Sequence, residues 1–331
     1  MVNVAINGFG RIGRQTFRAA YQRKLVKVVA INDLTDTKTL AHLLKYDTAY
    51  GTWPVEIDFD ETNLIIDGKK FPVFAEKDPT HLPWKKLKVD VVLECTGRFT
   101  SHEGGEMHIT AGAKKVIISA PAKGGVPTYV RGVNCDKVKD EKSNIINNAS
   151  CTTNCIAPIM AILQDHFGVE KAMMSTVHGY TADQNLQDGP HRDLRRGRAA
   201  AENIVPTTTG AAVATTEAIP ELQGIFDGLA IRVPVPTVSL SDVTAVLMKE
   251  VTIEEINAAF EKAAKEDRFK GILTTTKELL VSSDFIGNTH SAIIDLSLTN
   301  VVGQTMVKVI GWYDNETGYS NRLIEIAEKF S

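Results

Sequence analysis

Residues 2–14 read VNVAINGFGRIGR, an apolar run that leads directly into three glycines spaced G-x-G-x-x-G. The apolar run Val2–Asn7 predicts a buried strand, and the residues Arg11–Arg23 predict the helix that follows it. In this context the glycines Gly8, Gly10 and Gly13 permit a tight turn, close approach of the backbone to a pyrophosphate, and close packing of helix on strand. The helix amino terminus then faces the phosphates, so the stretch predicts a dinucleotide-binding fold.

An acidic residue follows where such a fold contacts a ribose. A second apolar strand, Val26–Asn32, ends at Asp33, about twenty residues after the last glycine of the motif. A carboxylate at this point can hold both hydroxyls of the adenine ribose and repels a 2′-phosphate. NAD is therefore the expected cofactor. Taken alone, Asp33 is equally well explained as the N-cap of a helix.

The rest of the chain divides into two patterns. Strand and helix signals alternate as far as residue 150, which predicts a parallel sheet with crossover helices and a hairpin insert around Asp67-Gly68. Beyond it, one amphipathic helix (151–165) is followed by mostly strand signals, with two further helices near 210–219 and 253–265 and a last helix at 316–330. The sequence thus predicts an α/β protein, with a Rossmann-type doubly wound parallel sheet and an α+β second domain whose sheet is mostly antiparallel.

Length and composition agree with this division and exclude several classes of protein. A chain of 331 residues favours two domains. The net charge of −3, without a basic tail, gives no indication of nucleic-acid binding, and the apolar runs are too short to span a bilayer. The chain opens directly into a strand, without the pattern of a signal peptide, and its four cysteines do not form a disulfide framework. We therefore expect a cytoplasmic protein, with no metal site and no membrane partner.

Cys151 is the most prominent candidate for chemistry. It follows Ser150, a residue type that caps helices, and precedes an apolar-periodic segment, so its sulfur lies in the first helical turn. Unpaired N–H groups and the helix dipole there favour the thiolate, the nucleophilic form. The alternative is a buried structural cysteine. His178, at the end of a predicted strand, is a potential base for such a thiol, although a lone histidine is more often structural.

Six motifs, in order, resemble those of phosphorylating glyceraldehyde-3-phosphate dehydrogenases, and the resemblance runs essentially from end to end. They are NGFGRIGR (7–14), ASCTTNC (149–155), STVHGYT (175–181), PTTTGAA (206–212), RVPVPT (232–237) and WYDNETGY (312–319). The resemblance implies that Cys151 attacks an aldehyde, and that His178 keeps the thiolate charged and takes the hydroxyl proton as a hydride passes to NAD. Inorganic phosphate then attacks the resulting thioester and releases an acyl phosphate.

The resemblance also implies the binding residues. The C3 phosphate of glyceraldehyde 3-phosphate is assigned to Thr181, Asp183 and Arg232, and the attacking phosphate to Ser150, Thr152, Arg196, Thr209 and Gly210. Arg195 and Arg198 lie in the same basic loop, so the choice among the three arginines stays open. Cofactor contacts are assigned to Gly8, Gly10, Arg11, Ile12, Gly13, Asp33, Lys77, Thr96, Ser119, Asn315 and Tyr319, although Tyr319 is also explained as a core residue.

The implied organisation is an NAD-binding domain of residues 1–150 and 313–331, a catalytic domain of residues 151–312, and a homotetramer in which the loop 181–206 packs across a subunit interface. Two other readings fit the same residues. One is an erythrose-4-phosphate dehydrogenase on the same framework. The other is a non-catalytic NAD-binding redox sensor, with Cys151 and Cys155 as a pair one helical turn apart.

Overall fold

Strand β1 (Val2–Asn7) and helix α1 (Arg11–Arg23) flank the glycine-rich turn, as the sequence predicts. They belong to a computed structural model that describes all 331 residues and in which the chain forms two units. The first unit comprises Met1–Tyr129, Cys135–Ala149 and Tyr319–Ser331. The second comprises Val130–Asn134 and Ser150–Gly318.

The first unit is built on an eight-stranded sheet with β1 near its middle. Its other elements are β2 (Val26–Asn32), α2 (Thr37–Lys45), β3 (Tyr46–Asp47), β4 (Gly51–Thr52), β5 (Ile57–Phe59), β6 (Asn63–Ile66), β7 (Lys69–Phe74), α3 (Trp84–Leu87), β8 (Val91–Glu94), α4 (His102–Thr110), β9 (Lys115–Ile118) and β10 (Ile145–Asn147), with short 3-10 turns at Pro79–His81 and Cys135–Asp140. The strand order is β10-β9-β8-β1-β2-β7-β6-β5, parallel from β10 to β7 and antiparallel beyond it. This arrangement confirms the predicted Rossmann-type sheet.

The second unit contains a mostly antiparallel sheet, which is also as predicted. Its elements are α5 (Cys151–Phe167), β11 (Val169–Gly179), β12 (Val205–Thr207), α6 (Ala211–Ala218), β13 (Phe226–Val233), β14 (Ser239–Leu247), α7 (Ile253–Ala263), β15 (Leu273–Thr276), β16 (Ala292–Asp295), β17 (Asn300–Val302) and β18 (Met306–Tyr313), with 3-10 turns at Pro220–Leu222, Ser282–Phe285 and Leu296–Leu298. The strand order is β12-β13-β11-β14-β18-β16-β15, with β17 on β18. Helix α8 (Thr317–Phe330) closes the chain.

Helix α5, which carries the candidate nucleophile, is more deeply buried than its sequence indicates. Every residue from Thr152 to Leu163 is buried, whereas an amphipathic helix keeps one polar face in solvent. The helix is covered by α6, by α7 and by strands of the sheet, among them β14 and β18. The prediction of a one-sided apolar helix was therefore wrong, and α5 is a core element of its unit.

Helix α4 was not predicted, because Gly104 and Gly105 lie in its first turn and glycine disfavours helix. Packing explains both glycines. A Cβ at Gly104 would stand 2.9 Å from the backbone of Phe99, and a Cβ at Gly105 would stand 2.6 Å from the side chain of Ile145. The helix therefore needs glycine at 105 to lie this close to β10, and glycine at 104 to lie this close to the backbone of Phe99. None of the helices combines the length and apolar character needed to span a lipid bilayer.

Candidate active site

Ser150 and Cys151 form the amino terminus of α5. The Ser150 Oγ accepts a hydrogen bond of 3.1 Å from the backbone N–H of Thr153, so Ser150 is the helix N-cap. Cys151 is the first helical residue, as predicted, and is partly exposed. The preceding residue, Ala149, has a φ of +52°, a left-handed conformation that costs energy in a residue with a Cβ. Its backbone N–H donates to the Asn147 side chain at 2.9 Å, which helps to hold this conformation.

His178 lies next to the sulfur. Its Nε2 is 3.5 Å from the Cys151 Sγ, and its Nδ1 is 2.7 Å from the carbonyl oxygen of Gly179. A contact of 2.7 Å between Nδ1 and a carbonyl requires a proton on Nδ1. In the neutral ring this leaves the lone pair of Nε2 facing the thiol. The geometry therefore gives His178 the tautomer of a base toward Cys151.

Burial and one nearby cation determine the charge of this pair. Burial and the Arg232 guanidinium lower the pKa of His178 to about 3, so the imidazole is neutral near pH 7. Burial also raises the pKa of the Cys151 thiol, and this outweighs the opposing effects of Arg232 and of hydrogen bonds from Thr152. The expectation that His178 holds a preformed thiolate was therefore wrong for this site. The reason is desolvation, which disfavours both charged forms.

Arg232 and Thr181 lie on the other side of the histidine. The Arg232 Nη1 donates to the Thr181 Oγ1 at 3.0 Å and to the Gly179 carbonyl at 3.2 Å. The Arg232 Nε is buried and has no hydrogen-bond partner. Because a buried N–H without an acceptor costs energy, this atom is suited to an anion that supplies one.

Asp183 connects the two sets of residues expected to bind anions. Its carboxylate accepts hydrogen bonds from the Thr181 hydroxyl and from the Arg196 guanidinium. Arg196 also donates through Nε to the Thr207 Oγ1 at 2.9 Å and through Nη2 to the Thr208 carbonyl at 3.0 Å. Asp183 therefore offsets the charge of Arg196 and fixes the position of its guanidinium.

The three arginines of the loop differ in their surroundings. Arg196 is the least exposed, whereas Arg198 is exposed and its Nε donates to Asp188 at 2.7 Å. Arg195 is also exposed. Of the three, only Arg196 contacts Asp183 and the strand β12, and its phosphate role stays a prediction.

The remaining residues of the expected phosphate set lie at helix termini. Gly210 is the N-cap residue of α6, and the Thr209 hydroxyl accepts from the backbone N–H of Ala211 at 3.2 Å. Thr152 is buried in the first turn of α5. Backbone N–H groups at such termini favour anions, so these positions are chemically suited to phosphate.

The glycine-rich turn in the first unit fits a dinucleotide. A Cβ at Gly8 would lie 2.7 Å from the backbone nitrogen of Thr96, and one at Gly13 would lie 2.1 Å from the Gly8 carbonyl oxygen. Gly8 is therefore required by the close approach of the residues after β8, and Gly13 by the packing of α1 on the turn and on β1. A Cβ at Gly10 would meet no protein atom within 4 Å, so protein packing does not demand that glycine. Close approach of a ligand does explain it.

Asp33 supports the same turn. Its carboxylate accepts from the backbone N–H of Phe9 at 2.7 Å and from that of Thr35 at 3.0 Å. The N-cap alternative was wrong, because Asp36 caps α2 by accepting from the N–H of Thr39. Both oxygens of the half-buried Asp33 retain lone pairs that could accept from a ribose.

Other expected cofactor residues follow the ends of parallel strands. Lys77, Thr96 and Ser119 follow β7, β8 and β9, and ligands of such sheets bind at the carboxyl ends of the strands. Arg11 and Ile12 begin α1, and the Arg11 Nη1 donates to Asp47 at 2.6 Å. The cofactor roles of these five residues stay predictions.

Comparison with known proteins identifies the family. Residues 150–315 match the model described as glyceraldehyde 3-phosphate dehydrogenase, C-terminal domain, and residues 2–102 match that of the NAD binding domain. The chain belongs to the glyceraldehyde-3-phosphate dehydrogenase family. It is 55% identical to the glyceraldehyde-3-phosphate dehydrogenase of Geobacillus stearothermophilus over 326 residues, which are 98% of this chain and 97% of the relative. It is 56% identical to that of Thermotoga maritima over 330 residues, 99% and 98% of the two chains. The resemblance drawn from the sequence is confirmed.

The sequence of this glyceraldehyde-3-phosphate dehydrogenase family member did not predict a role for Tyr313 in the site. Its buried hydroxyl lies 2.9 Å from the Thr152 Oγ1 and 2.8 Å from the Thr176 Oγ1. Its ring packs edge-on against that of His178, with centroids 6.0 Å apart. Tyr313 thus connects α5 to β11 directly behind the Cys151–His178 pair. It lies within the motif 312–319, but no sequence pattern identifies its partners.

A buried carboxylate under the glycine-rich turn was also missed. Glu94, at the end of β8, accepts from the Asn7 side chain at 2.5 Å, from the Thr96 backbone N–H at 2.7 Å and from the Thr96 hydroxyl. His108 Nε2 lies 3.1 Å away, and the indole N–H of Trp84 donates to His108 Nδ1 at 3.1 Å, so Nε2 carries the proton and donates to Glu94. The available signal was an acid that ends an otherwise apolar strand.

Two residues near the carboxyl terminus have protein partners. The Tyr319 side chain is 4% exposed, and its hydroxyl donates to the Ala149 carbonyl at 3.0 Å. Asn315 is buried, and its Oδ1 accepts from the Ser239 hydroxyl at 3.1 Å. These contacts give both residues a structural role in the family fold, and their expected contacts with the nicotinamide stay predictions.

Proposed function

We propose that this chain oxidises D-glyceraldehyde 3-phosphate with NAD and inorganic phosphate to 1,3-bisphosphoglycerate, by way of a thioester on Cys151. The observation that carries the proposal is the Cys151 Sγ within 3.5 Å of the His178 Nε2, at a helix amino terminus and beside Arg232. A thiol, a base and a fixed cation are the parts that acyl transfer to and from sulfur requires.

Cys151 and His178 carry the proton transfers. As the sulfur attacks the aldehyde carbon, Nε2 of the neutral imidazole takes the thiol proton and returns it to the new oxyanion, giving a hemithioacetal. His178 then takes the hydroxyl proton while the carbon loses a hydride. Bound NAD would supply the acceptor for that hydride. The thioester that remains on Cys151 is attacked by phosphate, which releases the acyl phosphate and the free sulfur.

Two sets of residues, each with one arginine, serve the two phosphates. Arg232 and Thr181 bind the C3 phosphate of the aldehyde, and the unpartnered Nε of Arg232 supports this assignment. Arg196, together with Ser150, Thr152, Thr209 and Gly210, binds the attacking phosphate. Asp183 holds the Thr181 hydroxyl and Arg196 in place, so its effect on phosphate is through these neighbours.

All of the proposed cofactor contacts except Asn315, which belongs to the second unit, fall to the first unit. Gly8, Gly10 and Gly13 let the backbone approach the pyrophosphate, and Asp33 binds the adenine ribose. Arg11, Ile12, Lys77, Thr96 and Ser119 line the rest of the dinucleotide, with Asn315 and Tyr319 assigned to the nicotinamide end. The proposed NAD-binding domain is residues 1–150 and 313–331, and the proposed catalytic domain is residues 151–312. The compact units differ from these bounds, because residues 130–134 and 313–318 belong to the second unit.

The active form is a homotetramer in the cytoplasm. Exposed apolar side chains support assembly, since Leu186 and Leu194 in the loop 181–206 are 79% and 84% exposed. Met173 on β11 and Leu229 on β13 are also exposed. The four cysteines are free, as is usual in a reducing compartment.

An initial-rate assay that follows NADH absorbance tests the function. Wild-type protein should turn over glyceraldehyde 3-phosphate only with NAD and phosphate together, and faster than erythrose 4-phosphate. Cys151→Ser should abolish turnover, whereas the matched variant Cys135→Ser, buried in the first unit, should retain it. Turnover that does not need phosphate would favour the erythrose-4-phosphate enzyme, which uses water and needs no Arg196. If no aldehyde led to the formation of NADH, the result would favour the non-catalytic redox sensor.

A further inference from the structure

A strained residue lies directly before β14 in the second unit. Val238 has a φ of +69°, in the left-handed region, which is a genuine outlier for a β-branched residue. Such a conformation persists only where the surrounding structure holds it, and here the Val238 side chain is buried against Phe285 and Ile293. Backbone strain of this kind clusters at ligand and active sites. The residue that follows it, and whose direction it helps to set, is Ser239.

Ser239 is buried and its hydroxyl connects two segments of the unit. Its Oγ accepts from the Gly179 backbone N–H at 3.3 Å and donates to the Asn315 Oδ1 at 3.1 Å. The pairing of β11 with β14 ends at Val177–Leu240, so at Gly179 the side chain of Ser239 takes the place of a backbone partner. Because the Gly179 N–H can only donate, the hydroxyl proton of Ser239 is directed to Asn315.

This hydroxyl determines which way the Asn315 amide faces. The amide has an acceptor oxygen at one end and a donor NH2 at the other, and rotation by half a turn exchanges them. A proton from Ser239 needs an acceptor, so Oδ1 faces Ser239 and Nδ2 faces away. The backbone is held separately, since the Asp314 side chain accepts from the N–H of Glu316 at 3.0 Å and of Thr317 at 2.9 Å. The orientation of the amide is therefore left to Ser239.

A fixed amide matters for a ligand that carries an amide of its own. The carboxamide of nicotinamide also has one acceptor oxygen and one donor NH2, and two amides bind each other only when a donor of one meets an acceptor of the other. Asn315 held in one orientation is thus preorganised for one orientation of that carboxamide. An amide free to rotate has to be ordered on binding, which weakens affinity.

We propose that Ser239 is a positioning residue for the nicotinamide end of NAD. It acts through Asn315, whose amide it holds in one orientation. The proposal rests on the proposed function, which assigns Asn315 to the nicotinamide.

Calorimetric titrations of the full-length protein with NAD and with ADP-ribose test the proposal. ADP-ribose lacks the nicotinamide and shares the rest of the dinucleotide, so the ratio of its Kd to the Kd of NAD measures what the nicotinamide adds. Ser239→Ala should lower this ratio about fivefold, the effect of one hydrogen-bonding contact, and leave the Kd of ADP-ribose unchanged. Ser239→Cys keeps the shape of the side chain with a weak S–H donor and should lower the ratio in the same direction.

Two further variants separate this role from general stability. Ser241→Ala is the matched control, because Ser241 is also buried on the same face of β14, and it should leave both Kd values unchanged. In a double-variant cycle, adding Ser239→Ala to Asn315→Ala should lower the ratio no further, since Ser239 acts through Asn315.

Three results would overturn the proposal: a wild-type ratio in Ser239→Ala, an equal loss of NAD and ADP-ribose in that variant, or a further fall of the ratio in the double variant. The titrations need no turnover. Failure of the proposed function is therefore recognised separately, as a wild-type protein that binds NAD but forms no NADH from the aldehyde.

Discussion

The hydroxyl of Tyr313 lies 2.9 Å from the Oγ1 of Thr152, the residue that follows Cys151. The same hydroxyl lies 2.8 Å from the Oγ1 of Thr176, two residues before His178. One oxygen atom thus links the helix that carries the thiol to the strand that carries the base. Because Cys151 and His178 lie on different elements of the unit, we expect this link to help set the distance between the sulfur and the imidazole.

Tyr313→Phe should therefore slow turnover without weakening the binding of NAD. Loss of the hydroxyl leaves two buried threonine hydroxyls without this partner, at a cost of about 1–3 kcal/mol in the free energy of unfolding. We expect kcat to fall about tenfold as the Cys–His geometry loosens, with the KM for NAD unchanged. Tyr129→Phe is the control, since its hydroxyl donates to Glu141 at 2.7 Å in the first unit. A kcat for Tyr313→Phe equal to that of the control would show that the hydroxyl does not position the pair.

Iodoacetamide should label Cys151 before any other cysteine. Burial raises the pKa of Cys95 to about 12 and raises that of Cys155 further, whereas Arg232 and hydrogen bonds offset part of the increase at Cys151. Because the pKa of Cys151 is itself raised, its thiolate fraction and its labelling rate should increase with pH above neutrality. Peptide mapping at half inactivation identifies the residue, and a label on Cys155 or Cys95 at that point would contradict the assignment.

Arg196 and Arg232 should separate the two phosphates kinetically. Arg196→Leu should raise the KM for inorganic phosphate by about tenfold or more and the KM for the aldehyde much less. The variant loses the charged hydrogen-bonded contact to the attacking phosphate and keeps the contact of Arg232 to the C3 phosphate. Arg232→Leu should damage use of the aldehyde at least as severely. Arg198→Leu, which removes an exposed partner of Asp188, serves as the control and should affect neither. Equal losses toward both reactants in the first two variants would refute this division.

Asp33 should make NAD strongly preferred over NADP. Its carboxylate and a 2′-phosphate carry like charges, and their repulsion should cost a few kcal/mol, or roughly a hundredfold in kcat/KM. Asp33→Asn removes the charge and keeps an acceptor for the Phe9 N–H, although the Thr35 N–H loses its acceptor, so the preference for NAD should narrow. Asp36→Asn, at the N-cap of α2, controls for charge alone. If the ratio of kcat/KM for NAD to kcat/KM for NADP were unchanged in Asp33→Asn, the preference would originate elsewhere.

Local features of the site could be read from the sequence, and distant contacts could not. The turn at Gly8–Gly13 and the cap at Ser150 depend on neighbouring residues, and both are where the sequence predicts them. The contact between Thr152 and Tyr313 joins residues 161 positions apart, which no periodicity reveals. The predicted direction of the Cys151 pKa shift was wrong for the same reason, because the burial that raises this pKa depends on how distant segments cover α5.

Glu94 also has a consequence for how the first unit folds. Its partners Asn7, Thr96 and His108 come from separate segments of the chain, and the carboxylate is fully buried. A partly assembled sheet would bury this group without its donors, and a buried acceptor that loses its hydrogen-bond partner costs about 1–3 kcal/mol. Intermediates that contain β8 but lack α4 or the end of β1 are therefore disfavoured. The buried acid couples these elements, so that they form and melt together as one cooperative unit.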